Sequence, residues 1–163
     1  FQVIKILLTN WLNEENFDSF FLLIKSLAEY EKLAAPDANA KTRLKRDGLS
    51  GNQRYSAYLG MLEKKPVGYM ILFDTYSSFL ALPTLYLEDF FVLEEFRGKG
   101  IGQKMFDFCV SLARQGEYGR LEWCVLDWNK PMIGFSQKNG AQKLPWNHFA
   151  LNKEQIKRYK ELE

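Results

Sequence analysis

The stretch from Tyr86 to Gln103, YLEDFFVLEEFRGKGIGQ, decides the fold of this chain. It begins as an apolar, aromatic-rich run, passes through a charged turn, and then places glycines at 98, 100 and 102 with a basic residue on each side of the first. The residues that follow are apolar at 101, 105, 106, 108, 109 and 112, a spacing typical of a helix with one buried face. The stretch therefore predicts a strand, a glycine loop and a helix.

The glycine loop has the features of an anion-binding site. Glycines at alternate positions let several backbone N–H groups turn toward one anion, because no Cβ blocks its approach. The helix start adds unpaired N–H groups and the positive end of its dipole, and Arg97 and Lys99 supply matching charge. A tight turn without a ligand is the simpler alternative. The Walker pattern is absent, and Gln103 stands where the dinucleotide fingerprint needs its third glycine.

The motif as a whole points to a family. The run Arg97-Gly98-Lys99-Gly100-Ile101-Gly102 resembles the Arg/Gln-x-x-Gly-x-Gly/Ala pyrophosphate loop of the GNAT superfamily of N-acetyltransferases. The segments 86–92 and 125–129 are similar to its diamine (spermidine/spermine) acetyltransferase branch, and the resemblance extends from about Leu22 to the C-terminus. It implies a single N-acetyltransferase domain over residues 1–163.

The other elements follow from periodicity, caps and breakers. Strands are expected at 1–8, 55–63, 67–73, 86–92 and 120–126, with a last strand around Trp146 within 141–151. Helices are expected after a cap at Asn13 and over 37–46, 130–138 and 152–163, and residues 74–84 are expected to form a loop. This order predicts an α/β (α+β) GNAT fold, with a mixed central sheet of six or seven strands and helices on both faces.

Composition limits the partners. The 163 residues carry a net charge of +2, which implies no polybasic surface and makes nucleic acid an unexpected partner. No apolar run reaches the length of about 18 residues that a membrane span needs. Cys109 and Cys124 lie in apolar runs without metal spacing, so buried free thiols, no metal site and a cytoplasmic location are expected. The resemblance implies a homodimer.

The resemblance also implies acetyl transfer from acetyl-CoA to an amine. The backbone at 90–92 would hold the pantetheine and polarise the thioester carbonyl, which is oxyanion stabilisation. Asn129 lies in the segment that would line the other wall, although it could simply cap the helix at Pro131. The implied cofactor-binding residues are Phe90, Phe91, Val92, Arg97, Gly98, Lys99, Gly100, Ile101, Gly102, Gln103, Asn129, Lys130, Pro131 and Met132.

Two positions are implied for proton transfer. An alkylamine with a pKa near about 10.4 must lose a proton before it attacks, and a carboxylate can take that proton directly or through water. Glu88 matches the family position for this role, with Asp89 expected on the opposite face of the strand; a salt-bridged core acid is the alternative. The family usually has a tyrosine after Phe135 to protonate the leaving thiolate, and here Ser136 stands there, so water or another tyrosine could substitute.

The predicted substrate-binding residues are acidic and aromatic. Acidic side chains could hold distal ammonium groups, and aromatic faces add cation–π attraction of about 0.5–2 kcal/mol. Glu122 could instead be a solvent-facing strand residue. The loop at 77–79 reads Ser-Ser-Phe, whereas diamine acetyltransferases have an acidic residue and a tryptophan there, which weakens the case for polyamine specificity. The predicted set is Tyr30, Glu31, Glu88, Glu122, Trp123 and Cys124.

The expected function is acetyl-CoA-dependent N-acetylation of a primary amine of a small polyamine- or lysine-like substrate, by direct attack in a ternary complex. A covalent route through Cys124 is rejected because the single histidine, His148, is distant in sequence and no motif links the two. Two alternatives stay open: a catalytically weak acyl-CoA-binding or regulatory module, and a protein or peptide N-acetyltransferase.

Overall fold

A computed structural model describes the backbone of residues 6–159 and the side chains from Trp11 onward. The described residues up to Cys124 form one compact unit, and those from Val125 form a second. Predictions for residues 1–5 and 160–163 lie outside the described part. In chain order the elements are β1 Ile6–Trp11, α1 Phe17–Tyr30, α2 Ala38–Leu49, β2 Ser56–Leu62, β3 Lys65–Ser77, β4 Leu82–Val92, a 3-10 turn Glu94–Phe96, α3 Ile101–Gln115, β5 Arg120–Glu122, α4 Lys130–Lys138 and α5 Lys153–Arg158.

The sheet of the first unit is mixed, which confirms the predicted fold class. Its five strands lie in the order β1-β2-β3-β4-β5, with antiparallel pairs except for the parallel pair of β4 and β5. Six or seven strands were expected, and within residues 6–159 the shortfall has two sources. β5 ends at Glu122 instead of continuing to 126, and no strand forms over 141–151. Pro145 lacks the N–H that a strand ladder needs, and Trp146 is 75% exposed.

Each face of the sheet packs on one helix. On the α1 face, the core joins Phe17 and Phe20 of the helix to Tyr69, Ile71 and Phe91 of the sheet. On the opposite, α3 face, the apolar positions predicted from the helical spacing are buried against the sheet: Ile101, Met105, Phe106 and Cys109. The two cores hold β4, which carries Glu88, and α3, which follows the glycine loop, in one packed layer arrangement.

Two helix ends of the first unit differ from the predicted ones. The Asn13 side chain accepts N–H bonds from Glu15 and Asn16 at 2.9 and 3.0 Å, so it stabilises a turn before α1 and does not cap the helix itself. α2 begins after the Asp37 cap but continues past the expected end at residue 46 and through Gly48 to Leu49. A Cβ on Gly48 would lie 2.5 Å from Tyr55 Oη, so this glycine permits close packing and does not end the helix.

The predicted loop at 74–84 is mostly a β-hairpin. β3 continues to Ser77 and β4 starts at Leu82, with Asp74 opposite Leu85 and Thr75 opposite Thr84. β-Branched and aromatic residues fit a pleated ladder well, and here they outweigh the serines that suggested a loop. Phe79 at the tip is fully exposed.

The second unit, over the described residues from Val125, agrees with the predicted caps. The Asn129 side chain accepts the Met132 N–H at 3.2 Å, and Gly140 has a φ of 81° just beyond α4. Asn152 and Gln155 form a capping box at the start of α5. Among residues 6–159, none of the helices combines the length and the apolar character needed to cross a membrane.

Candidate active site

The glycine loop has the geometry of the predicted anion cradle. Gly98 and Gly100 have φ values of 73° and 80°, which favour glycine, and a Cβ at either position would meet nothing within 4 Å. Gly100 precedes α3, and Lys104 is the residue whose N–H bonds back to the Gly100 carbonyl at 3.1 Å. The N–H groups before Lys104 belong to the first turn, which has no intrahelical acceptors. The loop and the 15-residue helix behind it therefore fit a pyrophosphate.

The two basic residues of the loop differ in their surroundings. Arg97 Nε donates to the Val92 carbonyl at 2.8 Å, and its guanidinium lies 4.4 Å from the ring centre of Tyr30. Lys99 is exposed, and its Nζ lies 5.0 Å from the ring centre of Phe96. We expected both side chains to supply charge to the anion. Arg97 is already held by the Val92 carbonyl and the Tyr30 ring, whereas Lys99 is exposed.

β4 carries an irregularity at the predicted proton acceptor. Ile71 lies opposite Asp89 and Leu72 opposite Leu87, so Glu88 is an extra residue between two regular pairs. A bulge of this kind bends a strand and re-aims its side chains, and bulges are over-represented next to active sites. Pairing with β5 stops at Tyr86, so this edge of β4 has no β5 partner from Leu87 onward.

The buried carboxylate of this pair is Asp89, not Glu88. Glu88 is exposed, whereas Asp89 is half-buried and its Oδ2 accepts a hydrogen bond from Tyr69 Oη at 3.0 Å. Burial raises the pKa of Asp89 from 3.8 to about 6; Glu88 and Glu31 act in the same direction, and the Tyr69 hydrogen bond opposes them. Asp89 was not among the predicted site residues. Its position beside Glu88 was a signal, but the bulge that turns it toward Tyr69 depends on pairing with β3.

The end of α1 brings further predicted residues to the same face. Burial raises the pKa of Glu31, and its charge in turn raises the pKa values of Asp89 and Tyr69. The ring of Tyr30 lies 6.2 Å from that of Phe91. Glu31, Asp89 and Tyr69 thus form an acidic group with a phenol, next to the strand that leads into the glycine loop. Such a group can attract an ammonium ion and hold a proton near neutral pH.

The three predicted residues around β5 have separate local partners. Glu122 Oε1 pairs with Arg120 Nε at 3.1 Å, as the solvent-facing alternative suggested. The Trp123 ring meets Phe106 edge-on at 5.5 Å. Cys124 is exposed, so the prediction that both thiols are buried is wrong for this residue and right for Cys109. The Cys124 Sγ accepts a hydrogen bond from Tyr86 Oη at 3.2 Å, and burial followed by this bond raises the pKa of Tyr86.

The predicted residues of the second unit lie immediately before α4 and within it. Besides the cap by Asn129, Lys130 Nζ donates to the Asp127 carbonyl at 3.1 Å. Ser136 Oγ donates to the Met132 carbonyl at 2.9 Å, a bond within the helix. The cap is the structural role weighed against cofactor binding for Asn129.

A cleft of about 540 Å³ between α1 and α2 is not part of this site. It lies at the start of α1, whereas Tyr30 and Glu31 are at its end. The ion pairs Lys41–Asp18, at 2.6 Å, and Lys45–Glu14, at 2.5 Å, cross it. Four of its five charged side chains are thus paired with one another, and the fifth, Arg46, is paired with Asp47.

Comparison with known proteins agrees with this geometry. A family model described as the acetyltransferase (GNAT) family matches residues 8–141. The thialysine N-epsilon-acetyltransferase of Bos taurus is 33% identical over 130 residues, 75% of this chain and 76% of the bovine protein. The L-ornithine N5-acetyltransferase of Arabidopsis thaliana is 40% identical over 75 residues, 46% of this chain and 33% of the plant protein.

Solved structures agree on the fold. An aminoglycoside N-acetyltransferase in complex with CoA superposes with a TM-score of 0.75 over 94% of this chain and 99% of that protein, at 16% identity. The resemblance expected from the loop and from the segment 86–92 is thereby confirmed. Because the family match spans most of the sequence, this chain belongs to the acetyltransferase (GNAT) family and is an N-acetyltransferase that uses acetyl-CoA.

Proposed function

We propose that this protein acetylates the side-chain primary amine of a small lysine-like amino acid by direct attack in a ternary complex. The observation that carries the proposal is the half-buried Asp89, which lies on the strand that leads into the glycine loop. Its carboxylate accepts a hydrogen bond from Tyr69, and the charge of Glu31 acts on it. A carboxylate with a pKa of about 6 is charged at neutral pH and attracts an ammonium ion without being held permanently by a basic side chain.

The chain supplies both binding and proton transfer in this proposal. Acetyl-CoA, when bound, supplies a thioester carbonyl for the amine and a thiolate that leaves. The N–H groups of the loop from Gly98 would hold its pyrophosphate, and the backbone at 90–92 would hold the pantetheine and the carbonyl oxygen. Such preorganised N–H donors are often the largest catalytic contribution.

Glu88 and Asp89 have different roles in the proposed reaction. Glu88, released from the strand ladder by the bulge, takes the proton from the substrate ammonium, directly or through water. Asp89 and Glu31 orient that ammonium by charge. The proton donor to the leaving thiolate is either Ser136 or a water molecule. Ser136 can donate only if it gives up its bond to the Met132 carbonyl.

The proposed acceptor follows from the relatives and the hairpin tip. The relatives named for thialysine and ornithine act on amino acids that carry a second amine, which supports an acceptor of that kind. Ser77 and Ser78 provide no acidic group for a long polyamine, and Phe79 is fully exposed. A polyamine is therefore the second choice, with Glu122 and Trp123 as further proposed contacts.

Location and assembly complete the proposal. We propose a homodimer in the cytoplasm, acting without nucleic acid or membrane. A weak binding module is one competing function, because Ser136 replaces the family tyrosine. A peptide acetyltransferase is the other, and it would need an open groove in place of a closed acidic pocket.

Thiol release from acetyl-CoA tests the proposal on a panel of thialysine, lysine, ornithine, diamines, polyamines and short peptides. Turnover that is highest with an amino acid acceptor is expected. Turnover only with peptides would move the function to a peptide acetyltransferase. CoA binding in calorimetry without any turnover would favour the binding module.

A further inference from the structure

Arg97 is held by three contacts that lead away from the glycine loop. Its Nε donates to the Val92 carbonyl at 2.8 Å at the end of β4. Its guanidinium carbon lies 4.4 Å from the ring centre of Tyr30 and 5.5 Å from that of Phe91. The side chain therefore joins the residue before the loop to the last residue of α1 and to β4.

The charge of Arg97 has no carboxylate partner among the described residues. None of their ion pairs within 4.0 Å involves this guanidinium. The guanidinium contacts the rings of Tyr30 and Phe91 in place of a carboxylate. An arginine can stack on aromatic rings because its guanidinium is planar and weakly hydrated. A lysine cannot reproduce both the stacking and the Nε bond. The surroundings thus use the shape of an arginine and not only its charge.

We propose that Arg97 is a positioning residue that couples the glycine loop to the end of α1, so that CoA binding fixes Tyr30 and Glu31 for the acceptor amine. The inference rests on the proposed function of the same site. Gly98, the next residue, is the first glycine of the cradle, so an anion that orders this loop also orders Arg97. Through the Tyr30 ring, that order reaches Glu31, whose charge acts on Asp89.

The coupling has a thermodynamic consequence. If CoA fixes the amine site, the bound amine must tighten CoA by the same factor, because linkage is reciprocal. Lys99 provides the contrast, since it is exposed and lies over Phe96, away from α1. Replacement of Lys99 should weaken CoA binding without removing the coupling between the glycine loop and the end of α1.

The closing experiment combines calorimetry with hydrogen exchange on the full chain. In the wild type, CoA should increase the protection of amides 27–32 as well as those of the loop. Arg97→Gln should weaken CoA binding less than Lys99→Gln does, but it should lose the added protection at 27–32 even when CoA is saturating. Lys99→Gln should bind CoA more weakly yet show the protection at saturation. Arg114→Gln, an arginine of the last turn of α3, serves as the matched control.

Steady-state kinetics give a second readout. Arg97→Gln should raise the KM for the amine about three- to thirtyfold, the range expected for losing a cation–π contact, with a smaller effect on the KM for acetyl-CoA. Arg97→Lys should be intermediate, and Tyr30→Leu should repeat the loss of coupling if Arg97→Gln folds poorly.

The outcomes separate the two proposals. Protection at 27–32 that persists in Arg97→Gln, or a CoA affinity that falls as much as in Lys99→Gln, would overturn the coupling and leave the acetyltransferase function standing. A wild type that binds CoA without a response at 27–32 would do the same. Failure of the wild type to bind CoA at all would overturn both.

Discussion

Tyr69 and Asp89 are joined across neighbouring strands by a hydrogen bond of 3.0 Å from the phenol to the carboxylate. The phenol is buried and the carboxylate half-buried, so the bond connects the core under α1 to the residue that follows the bulge. Because the bond favours the ionised form, it keeps the pKa of Asp89 from rising further in an apolar, acidic setting. Tyr69→Phe should therefore raise that pKa and reduce the charge of the site near neutral pH, whereas Asp89→Asn removes the charge at every pH.

The first prediction separates Glu88 from Asp89. Glu88→Gln should lower kcat by about 10²-fold or more, the size of a lost general base, with CoA affinity unchanged within about twofold. Asp89→Asn should instead raise the KM for the amine and remove the acid limb of kcat/KM near pH 6, because its charge holds the ammonium. Steady-state kinetics over about pH 5 to 9 measure both. A large loss of kcat in Asp89→Asn, with Glu88→Gln nearly intact, would exchange the two roles.

The second prediction concerns stability. The native pKa of Asp89, about 6, lies above the ordinary value of 3.8, so the native state binds the proton more tightly. The contribution of protonated Asp89 to the free energy of unfolding is fully present below about pH 4 and is lost as pH rises through about 6. Asp89→Asn should therefore gain stability relative to the wild type over this range, by about 1 to 3 kcal/mol above about pH 7.

Urea unfolding at about pH 4.5, 6 and 7.5 measures this difference. Asp18→Asn is the matched control, because a hydrogen bond from Lys41 lowers the pKa of Asp18 and the sign reverses. That variant should lose stability at neutral pH, and the difference should shrink as pH falls through the lowered pKa. A pH-independent effect of Asp89→Asn would contradict the raised pKa.

The parts of the fold set by local signals could be predicted from the sequence. A few consecutive residues are enough to predict each of three features. These are the glycines at 98 and 100, the apolar spacing of α3, and the start of α4 at Asn129 and Pro131. Steric rules for glycine, proline and helical periodicity act within about one turn of chain, so a sequence pattern is sufficient.

The parts of the fold and of the site that depend on contacts between distant residues could not be predicted from the sequence. The bulge at Glu88 exists only because Leu87 and Asp89 pair with neighbouring residues of β3, which lie about fifteen positions earlier in the chain. The direction of Arg97 is decided by Tyr30, far away in sequence. Register and stacking across elements are consequences of the assembled sheet, and no local pattern around Glu88 or Arg97 contains them.

The third prediction tests the cradle. Gly100→Ala places a Cβ on a residue with a φ of 80°, a conformation that costs an ordinary residue about 1 to 2 kcal/mol, in the space where the anion would lie. The variant should lose stability by about that amount and bind CoA about tenfold more weakly or worse. Gly51→Ala is the control, since its Cβ also meets nothing within 4 Å and its φ is not positive. Equal CoA affinities in the two variants, measured by calorimetry, would argue against the loop as the pyrophosphate site.

The last prediction addresses the proton donor. Ser136 Oγ donates to the Met132 carbonyl at 2.9 Å, and a hydroxyl has one proton to donate. A thiolate with a conjugate pKa near about 8.5 also leaves without much help, so Ser136→Ala should lower kcat less than about threefold. Ser111→Ala, a serine of α3 whose Oγ accepts from Gln115, is the matched helical control. If kcat of Ser136→Ala falls by about 10²-fold while CoA still binds normally, the hydroxyl must exchange its helical bond for the thiolate during turnover, and Ser136 is then the catalytic acid in place of the family tyrosine.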